Sequence, residues 1–589
     1  MDKKDLQNMR HSLAHLLAAA VLELWPDTKT AIGPAIDNGF YYDFEFSKPL
    51  SDKDLSVIQK KMKKMLNTWD TFSEKKVSEK EAKDFFKDNP YKQELIDEIV
   101  SKKEDITLYT SGPPAGGFTD LCKGGHIEDM KKINADAFKL SHIAGAYWRG
   151  DENNTQLTRI YGLAFETKKD LDEYEKMLAE AKERDHRKLG KELGLFVFSD
   201  IVGKGLPLWT DKGATIRREV ERFIVDEEIR RGYKHVRTPD MARIDLYKKS
   251  GHYPYYKDSM YTPMVIDEDE YMLRPMTCPH HFELYLSKPR SYRELPLRIA
   301  ELAQLYRYEQ SGELSGLMRV RSFCLADAHI ICRDTTQAQE EVDGALDLIE
   351  YIAKVFGLNL GENYSYRLSL GNRDEEEKYF KDDNAWDVAE GILRNVLKKR
   401  RVPFVEAQNE ASFYGPKIDI QMKNVLGKED TAFTVQYDFV MPKRFELTFT
   451  DSDGKEKEPI VIHRSSVGAI ERIMAFLIEH YAGSFPLWLS PTQVAVLPIA
   501  EDKHGEYAKE VYDALLKLGI RVEWMGESES LGKRIRQSKM QKIPYLVVIG
   551  DKEIEYKKIT VEGRDNERHE YITMADFITL LENKIKNKK

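Results

Sequence analysis

The chain has 589 residues, 41% hydrophobic and 32% charged, which fits three or four globular domains and neither a disordered nor a collagen-like chain. No apolar run approaches the ~18 residues of a membrane span, and the opening stretch MDKKDLQNMRHSLAHLLAAAVLELW, broken by Arg10, His11, His15 and Glu23, reads as no secretion signal. A net charge of −9 argues against an overall basic coat but allows a local phosphate-binding patch, and four scattered cysteines (Cys122, Cys278, Cys324, Cys332) fit a reducing cytoplasm better than a disulfide framework.

In chain order, residues 1–168 mix short strands with helices. TAIGPAIDNGFYYDFEF predicts a hairpin with its turn at Asn38-Gly39. DLSVIQKKMKKMLNTW places Leu55, Ile58, Met62 and Leu66 at helical spacing, and a loop is expected from Ser111 through Gly117. The polar stretch Asp170–Leu193 predicts one exposed helix between domains, so residues 169–193 are taken as a linker. Residues 194–487 alternate helices with longer strand segments, as an antiparallel sheet with packed helices requires. Residues 488–589 alternate β and α, as in a small parallel-sheet domain.

Three groups of residues bear chemistry. His11 and His15 stand four apart on one helix side, and Cys122 and His126 follow, with Asp120 just before the cysteine. These make either a four-ligand zinc set or a group of acid–base side chains, and spacing does not choose between them. In LYRYEQSGELSGLMRVRSF, two strands around a turn-rich loop are expected, with Arg307 and Glu309 on one face of the first and Arg319 and Arg321 on one face of the second. Arginine grips phosphate through a planar fork, so this set either holds ATP or forms a ladder on a solvated strand. LGKRIRQSKMQK carries Lys533, Arg534, Arg536, Lys539 and Lys542 without an acidic residue, a basic face for RNA or for solvent.

These segments resemble the class II aminoacyl-tRNA synthetases. GATIRREVERFIVDEEIRRGY running to Pro239 is similar to their first motif, Arg307-Tyr308-Glu309 to the second, and SVGAIERIMAFLIE, with Gly468, Glu471 and Arg472, to the third. Within the class, LRPMTCPHHFELY, ADAHIIC, SFYGPKIDI, TVQYDF and VIHRSSVGAIER resemble the threonyl-tRNA synthetase family. HSLAH, GFYYDF, DLCKGGH and HIAGAYWRGDENN resemble its editing domain, RDHRKLGKELGLF its connecting helix, and SLGKRIRQSKMQKIPYLVVIGDKE its anticodon-binding domain.

The resemblance implies an α+β multidomain protein: an α+β editing domain, a class II antiparallel-sheet core with flanking helices, and an α/β anticodon-binding domain. It is expected in a form lacking the family's N-terminal ubiquitin-like domain. The implied reaction is cytoplasmic joining of L-threonine to tRNA(Thr) with ATP, by a homodimer paired through the first-motif helix, without membrane contact. One Zn²⁺ per chain is expected on Cys278, His329 and His463, with Mg²⁺ accompanying ATP. Arg307, Lys417 and Arg472 take the catalytic positions, and ATP contacts fall to Arg307, Glu309, Arg319, Phe323 and Arg472. Asp327, Tyr414 and Gln436 match the threonine-binding positions. Editing of Ser-tRNA(Thr) is implied at His11, His15, Tyr42, Asp120, Cys122 and His126, where the family favours a metal-free site, and anticodon reading at Arg536 and Glu553.

Leu325, Thr431 and Glu562 depart from the common pattern, with glutamines usual at the first two positions and an arginine at the third, so those contacts are not carried over. A prolyl- or histidyl-specific relative is the first rival, but neither substrate has a hydroxyl for such a zinc. A synthetase-like regulatory protein is the second, yet Arg307, Glu309, Phe323 and Arg472 all stand.

Overall fold

In the computed structural model the opening helix spans Lys3–Leu24, started by the Asp2 carboxylate, which accepts from Asp5 N. The structure describes residues 1–113, 117–375, 377–425, 427–526, 529–565 and 567–589, so Pro114 and Gly116 of the expected loop lie outside the described residues. The chain divides into two compact units, Met1–Ala179 and Glu180–Lys589.

In the first unit, Leu13, Leu16, Leu17 and Val21 of the opening helix share an apolar core with Leu55, Ile58, Met62 and Leu66 of the helix Asp52–Leu66. Both pack beside an antiparallel sheet in which Gly39–Glu45 and Phe138–Tyr147 flank Gln156–Ala164. The hairpin turn sits one residue earlier than expected, at Asp37-Asn38, with Asn38 at φ 66°. Gly39 instead opens the strand, because a Cβ there would meet the Gly162 carbonyl oxygen at 1.9 Å. A smaller sheet, Ser73–Lys76, Thr107–Ser111 and Phe118–Leu121, brings Asp120 and Cys122 toward the opening helix.

The polar helix expected over Asp170–Leu193 is two helices, Lys168–Arg184 and His186–Glu192. Asp185 breaks the first and caps the second, its carboxylate accepting from Arg187 N at 2.7 Å.

The second unit is built on an eight-stranded sheet. Its order is Lys234–His235, Leu297–Tyr306, Ser322–Cys332, Ile460–Ala469, Glu429–Asp438, Lys417–Lys423, Tyr364–Ser369 and Phe404–Ala407. Only the two edge pairs run parallel; the rest is antiparallel, as expected. Helices Asp211–Arg230, Thr335–Val355, Asp383–Arg400 and Ile470–His480 bury apolar faces in the same core. The arginine segment differs from its expected form: the strands stop at Tyr306 and restart at Ser322, so Arg307, Glu309, Arg319 and Arg321 all lie on the connecting loop.

The C-terminal sheet runs Val522–Trp524, Val494–Pro498, Tyr545–Ile549, Ile559–Gly563, Arg568–Ile572. Its first three strands are parallel, but the last two join antiparallel, which makes the sheet mixed and not wholly parallel.

Candidate functional site

A cavity of about 730 Å³ opens on the eight-stranded sheet, within the size range of small-molecule sites. The loop between Tyr306 and Ser322 supplies Arg307 and Arg319; Arg472 comes from the helix Ile470–His480. Arg307 lies 5.2 Å over the Phe323 ring and donates through Nε to the Pro275 carbonyl at 3.4 Å. Arg472 is anchored twice, Nε donating to Met318 O at 3.1 Å and Nη1 to Thr431 O at 2.6 Å. Burial lowers the pKa of both guanidiniums, a strain that an anionic ligand relieves. Exposed Arg319 pairs with Glu309 at 2.9 Å and Glu313 at 3.5 Å.

At the other end of the cavity, Asp327, Tyr414 and Gln436 come together. The Tyr414 hydroxyl donates to Gln436 Oε1, and its ring stacks on His463 at 4.9 Å. Burial raises the Asp327 pKa. Leu325 and Thr431 also line the cavity, the Thr431 hydroxyl accepting from Gln421 Nε2 at 2.6 Å. Lys417 does not line it: its ammonium pairs with the buried Asp419 at 3.2 Å, beside Arg367.

Cys278, at the start of the helix Cys278–Leu286, and His329 and His463, directly opposite on neighbouring strands, bring one ligand atom each to within 4.8 Å of one another. All three are buried. Glu301 accepts from His281 Nε2 at 3.3 Å, so His281 Nδ1 accepts from His329 Nδ1–H at 2.7 Å, leaving His329 Nε2 as a free ligand. Arg274 holds Glu301 at 3.1 Å. His463 donates through Nε2 to Asp438 at 2.7 Å, leaving Nδ1 free. Burial pushes the Cys278 thiol up and His329 down, a set stable as neutral groups or around a cation. One thiolate, two neutral imidazoles and backing carboxylates suit Zn²⁺.

The N-terminal unit gathers its four expected donors equally closely, within 4.8 Å. His11 Nδ1 donates to Gly125 O at 3.2 Å, and its Nε2 lies 3.6 Å from Cys122 Sγ. The Ser12 hydroxyl gives its proton to Asn8 O, so it accepts from His126 Nδ1 at 3.3 Å, and His126 Nε2 meets Cys122 Sγ at 3.3 Å. Phe72 stacks on His126 at 3.8 Å. Burial holds His126 down at about 2, keeps His15 well below its ordinary value and pushes Cys122 up to about 12. Tyr42 donates to Asp120, whose charge is met by buried Lys92 at 2.6 Å.

On the helix Leu531–Met540, Arg536 is exposed, whereas Arg534 is buried and donates to the Pro498 and Met525 carbonyls at 2.8 Å each, so Arg534 leaves the expected basic face. Lys539 pairs with Glu562 at 2.6 Å. Glu553 is buried and already engaged, accepting from Gly550 N at 3.0 Å and from the Thr560 hydroxyl at 2.7 Å. Lys92, His281 and Glu301 escaped the sequence reading. Only His281 left a trace, as the last residue of CPHH.

Residues 261–481 match the tRNA synthetase class II core domain (G, H, P, S and T), residues 493–584 the anticodon binding domain, and residues 106–161 the threonyl and alanyl tRNA synthetase second additional domain. The chain is 50% identical over 585 residues to the threonine–tRNA ligase of Staphylococcus carnosus, covering 99% of this chain and 89% of that one. It is 48% identical to the Staphylococcus saprophyticus threonine–tRNA ligase over the same shares. Among solved structures, the RNA binding domain of threonyl-tRNA synthetase from Cryptosporidium parvum is 36% identical with a TM-score of 0.64, covering 68% of this chain and 98% of that one. A threonyl-tRNA synthetase structure from Aeropyrum pernix, 29% identical, has a TM-score of 0.61 over 69% of this chain and 97% of that one.

Proposed function

The chain belongs to the threonine–tRNA ligase family, and from that premise we propose how its residues divide the work. The chain activates L-threonine with ATP in the cavity of the eight-stranded sheet and transfers the threonyl group to tRNA(Thr). One observation carries this reading: a Cys–His–His donor set and the buried guanidiniums of Arg307 and Arg472 share one cavity.

Attack of the threonine carboxylate on the α-phosphorus breaks the α–β phosphoanhydride bond and releases pyrophosphate, and attack of the tRNA's terminal ribose hydroxyl on the adenylate then releases AMP. Both steps need alignment and charge stabilisation more than covalent help. Arg307, over Phe323, spans carboxylate and α-phosphate with its remaining donors. Phe323 stacks on adenine, and Glu309 meets the base edge. Arg472, fixed by two carbonyls, and Arg319 hold the outer phosphates with Mg²⁺. Asp327 accepts from the threonine hydroxyl, while Tyr414 and Gln436 orient the amino acid. Lys417, on the sheet face it shares with Gln436, acts by holding Asp419. Cys278, His329 and His463 would hold Zn²⁺, which would supply Lewis acidity favouring a substrate that carries a hydroxyl beside its amine over valine, which has only a methyl there.

Serine offers the same two groups, and one methyl is worth only ~1–3 kcal/mol of discrimination. Removal of Ser-tRNA(Thr) therefore falls to His11, His15, Cys122 and His126, with Tyr42 and Asp120 beside them. Neutral imidazoles keep acceptor nitrogens that can bind and orient a water beside the seryl ester without metal. Replacing His11 by Ala should leave threonine activation intact while deacylation of Ser-tRNA(Thr) falls by on the order of 10².

Arg536 is an exposed cation on the helix Leu531–Met540 and reads the anticodon. Glu553, with both oxygens engaged, shapes that surface from beneath. The chain works in the cytoplasm as a homodimer through the helix Asp211–Arg230; the exposed apolar side chains of Phe198, Ile201 and Ile229 support a partner surface. Among the described residues no helix is long and apolar enough to cross a membrane.

Purified protein tested for ATP–pyrophosphate exchange with threonine, serine and valine should respond to the first two and only weakly to valine. Equal exchange with valine and threonine contradicts the zinc-selected site.

A further inference from the structure

The connecting helix His186–Glu192 carries a histidine with no assigned role, although His186 is buried. His186 Nδ1 donates to Glu479 Oε1 at 2.7 Å, near the end of the helix Ile470–His480 that bears Arg472. This fixes the tautomer: Nε2 keeps its lone pair and accepts from Leu317 N at 3.1 Å. Leu317 sits in a tight turn of the arginine loop, where Met318 N donates to Ser315 O at 2.9 Å and Ser315 N to Arg319 O at 3.2 Å. The turn presses closely on the imidazole, since a Cβ on Gly316, at φ +50°, would stand 2.2 Å from His186 Nε2.

The next two residues do the work assigned to the phosphate site: the Met318 carbonyl orients Arg472, and Arg319 follows it. We propose that His186 is a positioning residue for ATP binding, clamping the tip of the arginine loop to the connecting helix so that Arg319 and Arg472 meet the outer phosphates together. The inference rests on the reading of those two arginines as phosphate ligands. An imidazole suits the place because it offers a donor and an acceptor on opposite edges of one rigid ring. Alanine would leave Leu317 N–H without its buried partner.

The test is threonine-dependent ATP–pyrophosphate exchange on the full-length wild type, His186→Ala, Gly316→Ala and Arg472→Ala, with zinc content and thermal melting measured on each. Gly316→Ala pushes the turn off the same ring from the other side and keeps the histidine. Both loop-clamp variants should raise the KM for ATP about tenfold, the scale of one lost buried hydrogen bond, while the KM for threonine and the zinc content stay unchanged. Glu479→Gln, whose amide oxygen still accepts, should stay closer to wild type. An unchanged KM for ATP in His186→Ala and Gly316→Ala, or equal rises for both substrates, overturns the clamp. Unimpaired use of ATP by Arg472→Ala would instead bring down the phosphate-site reading, and the clamp with it.

Discussion

At the sheet, His463 gives its Nε2 proton to the Asp438 carboxylate, and His329 leans through His281 on Glu301. In the N-terminal unit, His11 rests on the Gly125 carbonyl and His126 on the Ser12 hydroxyl. Both clusters gather cysteine and histidine atoms within 4.8 Å, so distance does not separate them. Their electrostatic surroundings do. Asp327 and Asp438 face the first set, and a dication offsets such charge. The carboxylate nearest the second, Asp120, is already neutralised by Lys92 and bonded by Tyr42. Ligand type alone therefore says little, and the proposed division of the two clusters rests on the partners behind the imidazoles.

Changing one cysteine in each cluster gives the largest contrast. Cys278→Ala should lose about one equivalent of zinc and slow threonine activation by more than the ~10–100-fold cost of losing an outer partner. Cys122→Ala should keep its zinc and its activation rate. Metal analysis beside pyrophosphate exchange checks both, and zinc lost from Cys122→Ala would erase the contrast.

Arg307 sharpens the comparison from within the cavity, because it touches neither cluster's donors. Arg307→Ala should cut activation by on the order of 10² or more while zinc content stays normal. Arg307→Lys keeps the charge without the planar fork and should recover little. Near-normal exchange by the alanine variant would remove its role.

The outer partners should matter less, and only at the sheet. Asp438→Asn should weaken zinc retention by ~10–100-fold in a chelator competition, since His463 loses its anionic acceptor. Wild-type retention would mean that the carboxylates do not distinguish the clusters.

The smallest effect is on stability. Burial holds His126 down at about 2 and lowers His11 and His15 as well, whereas unfolded imidazoles take up protons near 6.5. The unfolded state thus binds more protons as the solution acidifies, so this contribution is complete above about pH 6.5 and is lost as the pH falls toward the folded value. Full-length protein should show a melting step moving down between about pH 7 and 5, less steeply in His126→Asn. A step that does not move with pH would contradict the neutral cluster.

Much of this was legible in the residues. The spacing of Leu55, Ile58, Met62 and Leu66 named a buried helix face, and the long strand segments named an antiparallel sheet. The zinc candidates Cys278, His329 and His463 were not legible from spacing, because the sheet joins strands far apart in sequence; only resemblance reached them. The arginine segment looks like strand in sequence because alternation is the same on a strand and on an extended loop, and tertiary contacts to Pro275 and Met318 fix it as a loop. Arg534 looks like one more surface cation in sequence, yet its buried guanidinium satisfies the Pro498 and Met525 carbonyls inside the C-terminal domain. Lys92 had no local signal at all, since its purpose appears only once Asp120 and Tyr42 fold against it.

The central claim is that one cluster works with a metal and the other without. Full-length enzyme stripped by a strong chelator, assayed in parallel for threonine-dependent pyrophosphate exchange and for deacylation of preformed Ser-tRNA(Thr), tests it most directly. The account predicts that exchange collapses and returns with added zinc while deacylation continues at the untreated rate. Deacylation that fails with exchange and recovers with zinc would contradict it.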